Sequence, residues 1–298
     1  MEKIRRIAIL GSGRLGRGIA ENAATKGYDV TLFAQGAGSQ NAPYRIERSL
    51  DKKLEKWAIT EGEKRVILSH INYSTDLKKL VDADLVIEAT IDHLYTKQEL
   101  LRTADRLCGP NVIFLLTSAT LCVSEIALSL SRPNLLVGAR FIPPVVDTTV
   151  VELSFSSDTS KDAINTTKEF INNLGKKPIL VQESPGLVNP RTLVTLINEA
   201  AYLLDEGVSS AEAIEMIIIG SWSMQQGPFE MADRMGIDII LNWMEQLQQV
   251  YGDRYMPAPI IRRYVQQGRL GVKTGIGFFR YNEDGQRIDN LDNKQEEN

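Results

Sequence analysis

Cysteine is scarce in this 298-residue sequence, and neither charge of one sign nor long apolar runs dominate it. Cys108 and Cys122 are too few for a disulfide framework and show no zinc-binding pattern, which favours a reducing compartment. A net charge of −4 without a basic tract argues against nucleic acid as a partner. No stretch approaches the ~20 apolar residues of a membrane span, and no signal-like region precedes the first predicted strand. We therefore expect a cytoplasmic protein without metal, nucleic-acid or membrane partners.

A glycine-rich turn organises the amino-terminal half. The apolar run of residues 7–10 breaks into a glycine-rich stretch and continues into a helix-like one, which predicts strand, tight turn and helix. A second predicted strand, residues 29–33, follows at β-α-β spacing. Glycines at these positions permit the turn, the approach of a pyrophosphate and the packing of helix on strand. The pattern favours a dinucleotide site over a purely structural turn. The expected cofactor-binding residues are Gly11, Gly13, Arg14, Leu15 and Gly16.

The residue after the second predicted strand bears on the choice of dinucleotide. An acidic residue usually stands there and holds the adenosine ribose hydroxyls, whereas this chain has Ala34-Gln35-Gly36-Ala37-Gly38. No carboxylate would repel a 2′-phosphate, and Arg14, Arg45 or Arg48 could reach one. The alternative is that these arginines are solvated surface charges. NAD is therefore the expected cofactor, with NADP left open.

The order of strand and helix patterns divides the chain. Strands and helices alternate over residues 1–184, which predicts an α/β domain with a Rossmann-type, mostly parallel sheet. Helical periodicity without strands follows over residues 185–281 and predicts an all-helical domain. Its several apolar faces lead us to expect a homodimer. Residues 282–298 are polar and are expected to form a loose tail.

A predicted buried strand over residues 84–89 ends close to any bound cofactor. In open α/β sheets, ligands lie outside the carboxyl ends of the strands. Asp92 and His93 follow this strand directly, and Lys97 comes a helical turn later. We expect Asp92 and Lys97 near the cofactor. His70 is expected at the surface, and His93, although it follows Asp92 at a strand end, is not the expected base.

Six segments in both halves carry a family resemblance. They are residues 11–20, 83–89, 184–186, 198–200, 227–230 and 268–279, the last reading Gly-Arg-Leu-Gly-Val-Lys-Thr-Gly-Ile-Gly-Phe-Phe. With these segments the chain resembles the L-3-hydroxyacyl-CoA dehydrogenase family, which includes 3-hydroxybutyryl-CoA dehydrogenases. The resemblance implies a nucleotide-binding domain, a helical dimerisation domain and a substrate cleft between them.

The resemblance also implies roles for single residues. The family transfers hydride between the C3 hydroxyl of an acyl thioester and a nicotinamide cofactor. A histidine held by a glutamate is its base, and a serine and an asparagine assist at the substrate oxygen. Matched position by position, the glutamate is Glu152, and Asp92 and Lys97 occupy family positions around the cofactor.

Other family positions are replaced in this chain. Arg140 stands at the histidine, Ala119 at the serine, and Pro143 at an asparagine near the nicotinamide. Pro190 stands at the second asparagine, unless a one-residue shift brings Asn189 there. Because arginine stays protonated in proteins, Arg140 cannot accept the hydroxyl proton, and oxidation by the family's route is expected to be slow or absent.

Arg140 and Glu152, the expected catalytic residues, leave two interpretations open. In one, the guanidinium binds a substrate carboxylate, or stabilises an alkoxide when a ketone is reduced and water supplies the proton. In the other, the two residues form a buried ion pair that fills a lost active site. Glu152 could also act directly as a base, although a neighbouring arginine would depress its pKa.

These observations predict an NAD(P)-dependent oxidoreductase of fatty acid metabolism that acts on a 3-hydroxyacyl or 3-ketoacyl thioester. An acyl-CoA or acyl-carrier-protein thioester with an additional carboxylate would provide a group for Arg140 to bind. The alternative is a catalytically silent member that binds a nucleotide or acyl thioester, or serves in assembly. A third interpretation is an NADP-linked dehydrogenase for a small hydroxy acid.

Overall fold

The computed structural model describes residues 4–34 and 41–288. The chain forms two compact units, one up to Leu187 and one from Val188 onward. Residues 35–38, which belong to the cofactor-selectivity argument, and residues 289–298 of the expected tail lie outside the described residues.

An eight-stranded sheet forms the centre of the first unit. Its strands are β1 (Arg6–Leu10), β2 (Asp29–Phe33), β3 (Ile71–Ser74), β4 (Leu85–Glu88), β5 (Ile113–Leu116), β6 (Leu136–Phe141), β7 (Val150–Ser154) and β8 (Lys177–Leu180). Their spatial order is β3-β2-β1-β4-β5-β6-β7-β8. Neighbouring strands are parallel except β6 and β7, which are antiparallel. The prediction of a Rossmann-type, mostly parallel sheet is confirmed.

Helices cover both faces of this sheet. They are α1 (Arg14–Thr25), α2 (Ala42–Glu55), α3 (Glu61–Ser69), α4 (Leu94–Leu107), α5 (Val123–Ala127) and α6 (Lys161–Asn173). On one face of β1, Ile7 and Ile9 pack in a core with Ile19 of α1. On the other face, Ala8 and Leu10 pack in a second core with α4 and α5. Because both faces are buried, the strands read as nearly continuous apolar runs.

Over residues 188–288, the second unit contains five α-helices and a short hairpin. Its elements are α7 (Asn189–Asp205), α8 (Ala211–Trp222), α9 (Pro228–Met235), α10 (Ile237–Tyr251), α11 (Pro259–Gln266), β9 (Arg280–Tyr281) and β10 (Arg287–Ile288). The helical prediction is confirmed. Residues 287–288 fall in the expected tail, yet they pair with β9, because a turn closed by Gly285 at φ +75° reverses the chain. Within the described residues, no helix is long and apolar enough to cross a membrane.

A buried carboxylate explains the Gly-Pro-Phe-Glu segment of the second unit. Glu215 of α8 accepts hydrogen bonds from the backbone N–H groups of Phe229 (2.9 Å) and Glu230 (3.0 Å), at the amino end of α9. A Cβ atom on Gly227 would lie 2.3 Å from the carboxyl carbon of Glu215. Gly227 therefore makes room for the group that caps α9.

A second buried carboxylate holds the closing glycine-rich segment. Asp233 of α9 accepts hydrogen bonds from the N–H groups of Phe278 and Phe279, both at 2.9 Å, and from the Tyr281 hydroxyl at 3.0 Å. A Cβ atom on Gly277 would lie 1.9 Å from Oδ1 of Asp233. The glycines of this segment thus allow the chain to wrap closely around one carboxylate.

Candidate functional site

The glycine turn between β1 and α1 accepts no side chain at two of its positions. Gly11 has φ +116°, and its N–H donates to the Phe33 carbonyl at 3.0 Å. A Cβ atom there would lie 2.6 Å from the Ala89 oxygen, and a Cβ atom on Gly16 would lie 1.8 Å from the Gly11 oxygen. The turn is therefore packed closely against β2, β4 and its own helix.

Gly13 differs, because a Cβ atom there would meet nothing within 4 Å. It is the N-cap of α1 in an extended conformation, followed by Arg14, which is exposed, and Leu15, which is half-buried. The first N–H groups of a helix have no partner within the helix, and they carry the positive end of its dipole. Open space in front of them suits a pyrophosphate. The turn thus fits the dinucleotide that the sequence predicts.

Asp92 fixes the loop that follows β5. Its carboxylate accepts hydrogen bonds from Ser118 Oγ (2.5 Å), Ala119 N (2.8 Å), Thr120 N (3.1 Å) and Thr120 Oγ1 (3.0 Å). Since β1, β4 and β5 are parallel neighbours, this loop lies at the same edge of the sheet as the glycine turn. Asp92 is therefore placed to shape the floor of a cofactor site.

Lys97 is fully buried with Glu88, the last residue of β4. Its Nζ donates to the Glu88 carboxylate and, at 3.4 Å, to the Thr90 carbonyl oxygen. The other Glu88 oxygen accepts the Thr90 N–H at 2.8 Å and its hydroxyl. The pair therefore holds the backbone where β4 leaves the sheet toward Asp92.

Arg140 and Glu152 face each other across β6 and β7 as register partners, and both are buried. The alternate residues Ala139 and Phe141 lie in the core beside α1 and α6, so Arg140 and Glu152 project from the other face of the sheet. Burial lowers the pKa of Arg140, while the negative charges of Asp92 and Glu152 oppose that shift. The guanidinium stays protonated.

A small cavity opens beside Arg140. Its lining residues are Leu116, Ser118, Leu121, Val123, Gly138, Ala139, Arg140, Ser154 and Leu187. Three of these present polar side chains, namely Arg140, Ser118 and Ser154. Gly138 is required there, because a Cβ atom on it would lie 2.2 Å from Ser154 Oγ. The cavity therefore combines one guanidinium and two hydroxyls with apolar walls.

The structure places the remaining predicted residues as follows. Ala119 is buried and contributes only its N–H to Asp92, and Pro143 is joined to Pro144 by a cis peptide bond. Pro190 is buried in the first turn of α7, in the second unit. His93 caps α4, with Nδ1 3.0 Å from Thr96 Oγ1, and His70 Nδ1 lies 2.8 Å from Asp29 Oδ1. No cluster of metal-binding side chains occurs among residues 4–34 and 41–288.

Several residues of this site escaped the sequence analysis. The sequence assigned no role to Glu88, Ser118, Thr120 or Ser154, although Glu88 lies in the family segment of residues 83–89. Glu88 ends an otherwise apolar strand, and a buried charge needs a partner. This position was the available signal that a cation such as Lys97 lies beside it.

A sheet of this topology with a glycine turn at its carboxyl edge defines a dinucleotide-binding protein. Models of the 3-hydroxyacyl-CoA dehydrogenase NAD binding domain and C-terminal domain match residues 6–184 and 186–281. The chain belongs to the 3-hydroxyacyl-CoA dehydrogenase family, and NAD(P) is its cofactor class.

Relatives align over nearly the whole chain. A probable 3-hydroxybutyryl-CoA dehydrogenase of Bacillus subtilis is 35% identical in an alignment of 287 residues that covers 94% of this chain and 99% of that protein. The 3-hydroxybutyryl-CoA dehydrogenase of Clostridioides difficile is 35% identical in an alignment of 283 residues that covers 93% of this chain and 99% of that one. The crystal structure of (S)-3-hydroxybutyryl-CoA dehydrogenase PaaH1 from Ralstonia eutropha has a TM-score of 0.84 at 34% identity, and covers 94% of this chain and 100% of that one.

Proposed function

We propose that this protein is an NAD(P)-dependent oxidoreductase that interconverts 3-hydroxyacyl and 3-ketoacyl thioesters of coenzyme A, in fatty acid metabolism. The observation that carries the proposal is the position of the glycine turn and of the Asp92, Arg140 and Glu152 cluster at the same edge of one sheet. The names of the relatives, which are dehydrogenases of this substrate class, support it.

The amino-terminal residues bind and orient the cofactor, which supplies or accepts the hydride when bound. Gly11 and Gly16 shape the turn, and Gly13, Arg14 and Leu15 receive the pyrophosphate at the amino end of α1. Asp92 acts through the loop it holds, and the buried Lys97 acts through Glu88 and Thr90. Both are positioning residues for the cofactor floor.

Arg140 has a role at the substrate oxygen. Its charge is already opposed by the carboxylates of Asp92 and Glu152. A third carboxylate, from the substrate, would add negative charge to this buried cluster, so we favour an acyl chain without one. The guanidinium instead stabilises negative charge on the C3 oxygen when a ketone is reduced, and a water molecule supplies the proton. Glu152, the register partner of Arg140 on β7, contributes an opposing negative charge.

We further propose a homodimer formed through α8, in the cytoplasm. Met216, Ile217 and Trp222 of α8 are large apolar side chains that are exposed in the single chain. Exposed apolar side chains grouped on one helix are typical of protein interfaces. Cys108 and Cys122 are both free thiols, which suits a reducing compartment. Assays with a coenzyme A thioester and with its carrier-protein counterpart decide which of the two carries the acyl group.

The test combines cofactor binding with turnover. Purified protein is titrated with NADH and NADPH by fluorescence and then assayed with acetoacetyl-CoA and its carrier-protein counterpart. We expect binding and ketone reduction, with little oxidation of 3-hydroxybutyryl-CoA. Failure of both nucleotides to bind would overturn the proposal. Binding without turnover of any thioester would favour the silent binding protein, which the names of the relatives do not favour.

A further inference from the structure

Three arginines lie at the amino ends of α1 and α2. Arg14 and Arg17 belong to the first turns of α1, and Arg45 to the first turn of α2. Arg17 is half-buried, and its Nη1 donates to the Ser12 carbonyl at 2.8 Å, which holds its guanidinium at the glycine turn. Arg14 and Arg45 are exposed.

The packing of α1 on α2 brings these side chains together. Glu21 of α1 pairs with Lys53 of α2 at 2.7 Å, farther along both helices. With a rise of about 1.5 Å per residue, Arg45 lies about 12 Å before Lys53, and Arg17 about 6 Å before Glu21. Ala42 and Ile46 of α2 also lie in one core with Ile19 of α1, so the amino-terminal halves of the two helices pack in the same region. Burial lowers the pKa of Arg17, and the positive charges of Arg45 and Arg14 lower it further.

The end of β2 lies beside this arginine cluster. Gly11 N–H donates to Phe33, the last residue of β2, at 3.0 Å, and Ala34 N–H donates to Ser74 at the end of β3, also at 3.0 Å. Ala34 therefore occupies the position from which a carboxylate would bind the adenosine ribose hydroxyls of NAD. An alanine there leaves that contact unmade and leaves no negative charge to repel a phosphate.

We propose that Arg14, Arg17 and Arg45 bind the 2′-phosphate of an NADP-type cofactor, so that the protein prefers NADP(H) to NAD(H). This inference rests on the proposed dehydrogenase function. The positive charges of Arg14 and Arg45 act on Arg17, and a phosphate dianion beside the three guanidinium groups is attracted to all of them. Guanidinium forks also match phosphate oxygens in geometry.

The test uses probes that require no hydride transfer. The affinities of NADPH, NADH, adenosine 2′,5′-bisphosphate and 5′-AMP are measured for the full chain and for Arg45→Gln. The matched control is Lys56→Gln, an exposed cation at the carboxyl end of the same helix. We expect the 2′-phosphorylated ligands to bind at least about tenfold more tightly, the effect of one charge-assisted hydrogen bond. Arg45→Gln should remove most of that difference, and Lys56→Gln should keep it.

The outcomes separate this inference from the proposed function. NADH binding at least as tightly as NADPH, with turnover of acetoacetyl-CoA, would overturn the 2′-phosphate site alone. An equal loss for both nucleotides in Arg45→Gln would do the same, because it would indicate a structural role. If neither nucleotide binds, both proposals are wrong. A switch of preference toward NADH in Ala34→Asp would add support.

Discussion

Arg140 and Glu152 are buried cross-strand neighbours on the antiparallel pair of an otherwise parallel sheet. The two residues bring opposite charges to the edge at which the glycine turn also lies. Buried charges are retained only with partners, so the pair constrains which substitutions this site tolerates.

Removing Arg140 alone should destabilise the protein strongly. Arg140→Met removes the positive charge opposite the buried carboxylate of Glu152, and we expect a loss of about 3–5 kcal/mol in the free energy of unfolding. The double variant Arg140→Met/Glu152→Leu should recover part of that loss. Urea unfolding at neutral pH measures both. A single variant as stable as the parent protein would show that Arg140 is not needed to balance these charges.

Replacing Arg140 by histidine should favour oxidation. The family resemblance implies a histidine base held by a glutamate, and Glu152 already faces position 140. We expect Arg140→His to raise the rate of 3-hydroxybutyryl-CoA oxidation by about a hundredfold, the lower range of positioned acid–base catalysis. The rate should increase with pH through about 6.5, as the imidazole becomes neutral. Arg140→Lys is the control, and equal rates for both variants would contradict the assignment.

Alanine substitutions should separate two roles within the glycine turn. Gly16→Ala places a Cβ atom 1.8 Å from the Gly11 oxygen and should lower both stability and NAD(P)H affinity. Gly13→Ala meets nothing within 4 Å, so it should fold normally and lose affinity only, because the methyl group occupies the path of the pyrophosphate. Thermal unfolding and fluorescence titration distinguish them. Gly62→Ala, exposed on α3 with the nearest atom 3.8 Å from the added Cβ, is the control, and unaltered affinity in Gly13→Ala would be evidence against the phosphate site.

The fold was readable from the sequence because its signals are local. Apolar runs alternating with amphipathic stretches predict the sheet and its helices, and the glycine turn follows from three spaced glycines. The exact first and last residues of the helices were harder to predict than the helices themselves. Ser209-Ser210-Ala211-Glu212 suggests a capping box, yet Ser210 is the N-cap, and its Oγ accepts the N–H of Ala213 at 3.2 Å. A shift of one residue there leaves no trace in the periodicity.

The site was only partly readable, because its contacts join distant segments. Asp92 was predicted at a strand end, but its bonds to Ser118 and Thr120 depend on the order of strands in the sheet. Lys97 was expected near the cofactor, whereas the structure buries its ammonium against Glu88. Partners of this kind are selected by tertiary packing and not by sequence spacing.

Asp233 should make the stability of the protein depend on pH. Burial raises the pKa of its carboxyl to about 6, although three hydrogen bonds favour the charged form. The ordinary value is about 3.9, so between about pH 4 and pH 6 the folded chain keeps a proton that the unfolded chain releases. This contribution to stability is present below about pH 4, decreases as the pH rises, and is lost above about pH 6. Its full size is about 3 kcal/mol.

The measurement is urea unfolding from pH 4 to pH 8 for the parent protein and Asp233→Asn, with the exposed Asp253→Asn as control. The Asn variant is expected to be less stable overall, because its amide cannot accept as many N–H groups. The informative quantity is therefore the stability difference between parent and variant as a function of pH. That difference should shrink as the pH rises from 4 to 6 and stay level above it. A difference that grows with pH would mean that the hydrogen bonds from Phe278, Phe279 and Tyr281 outweigh burial, and that the carboxylate is charged in the fold throughout.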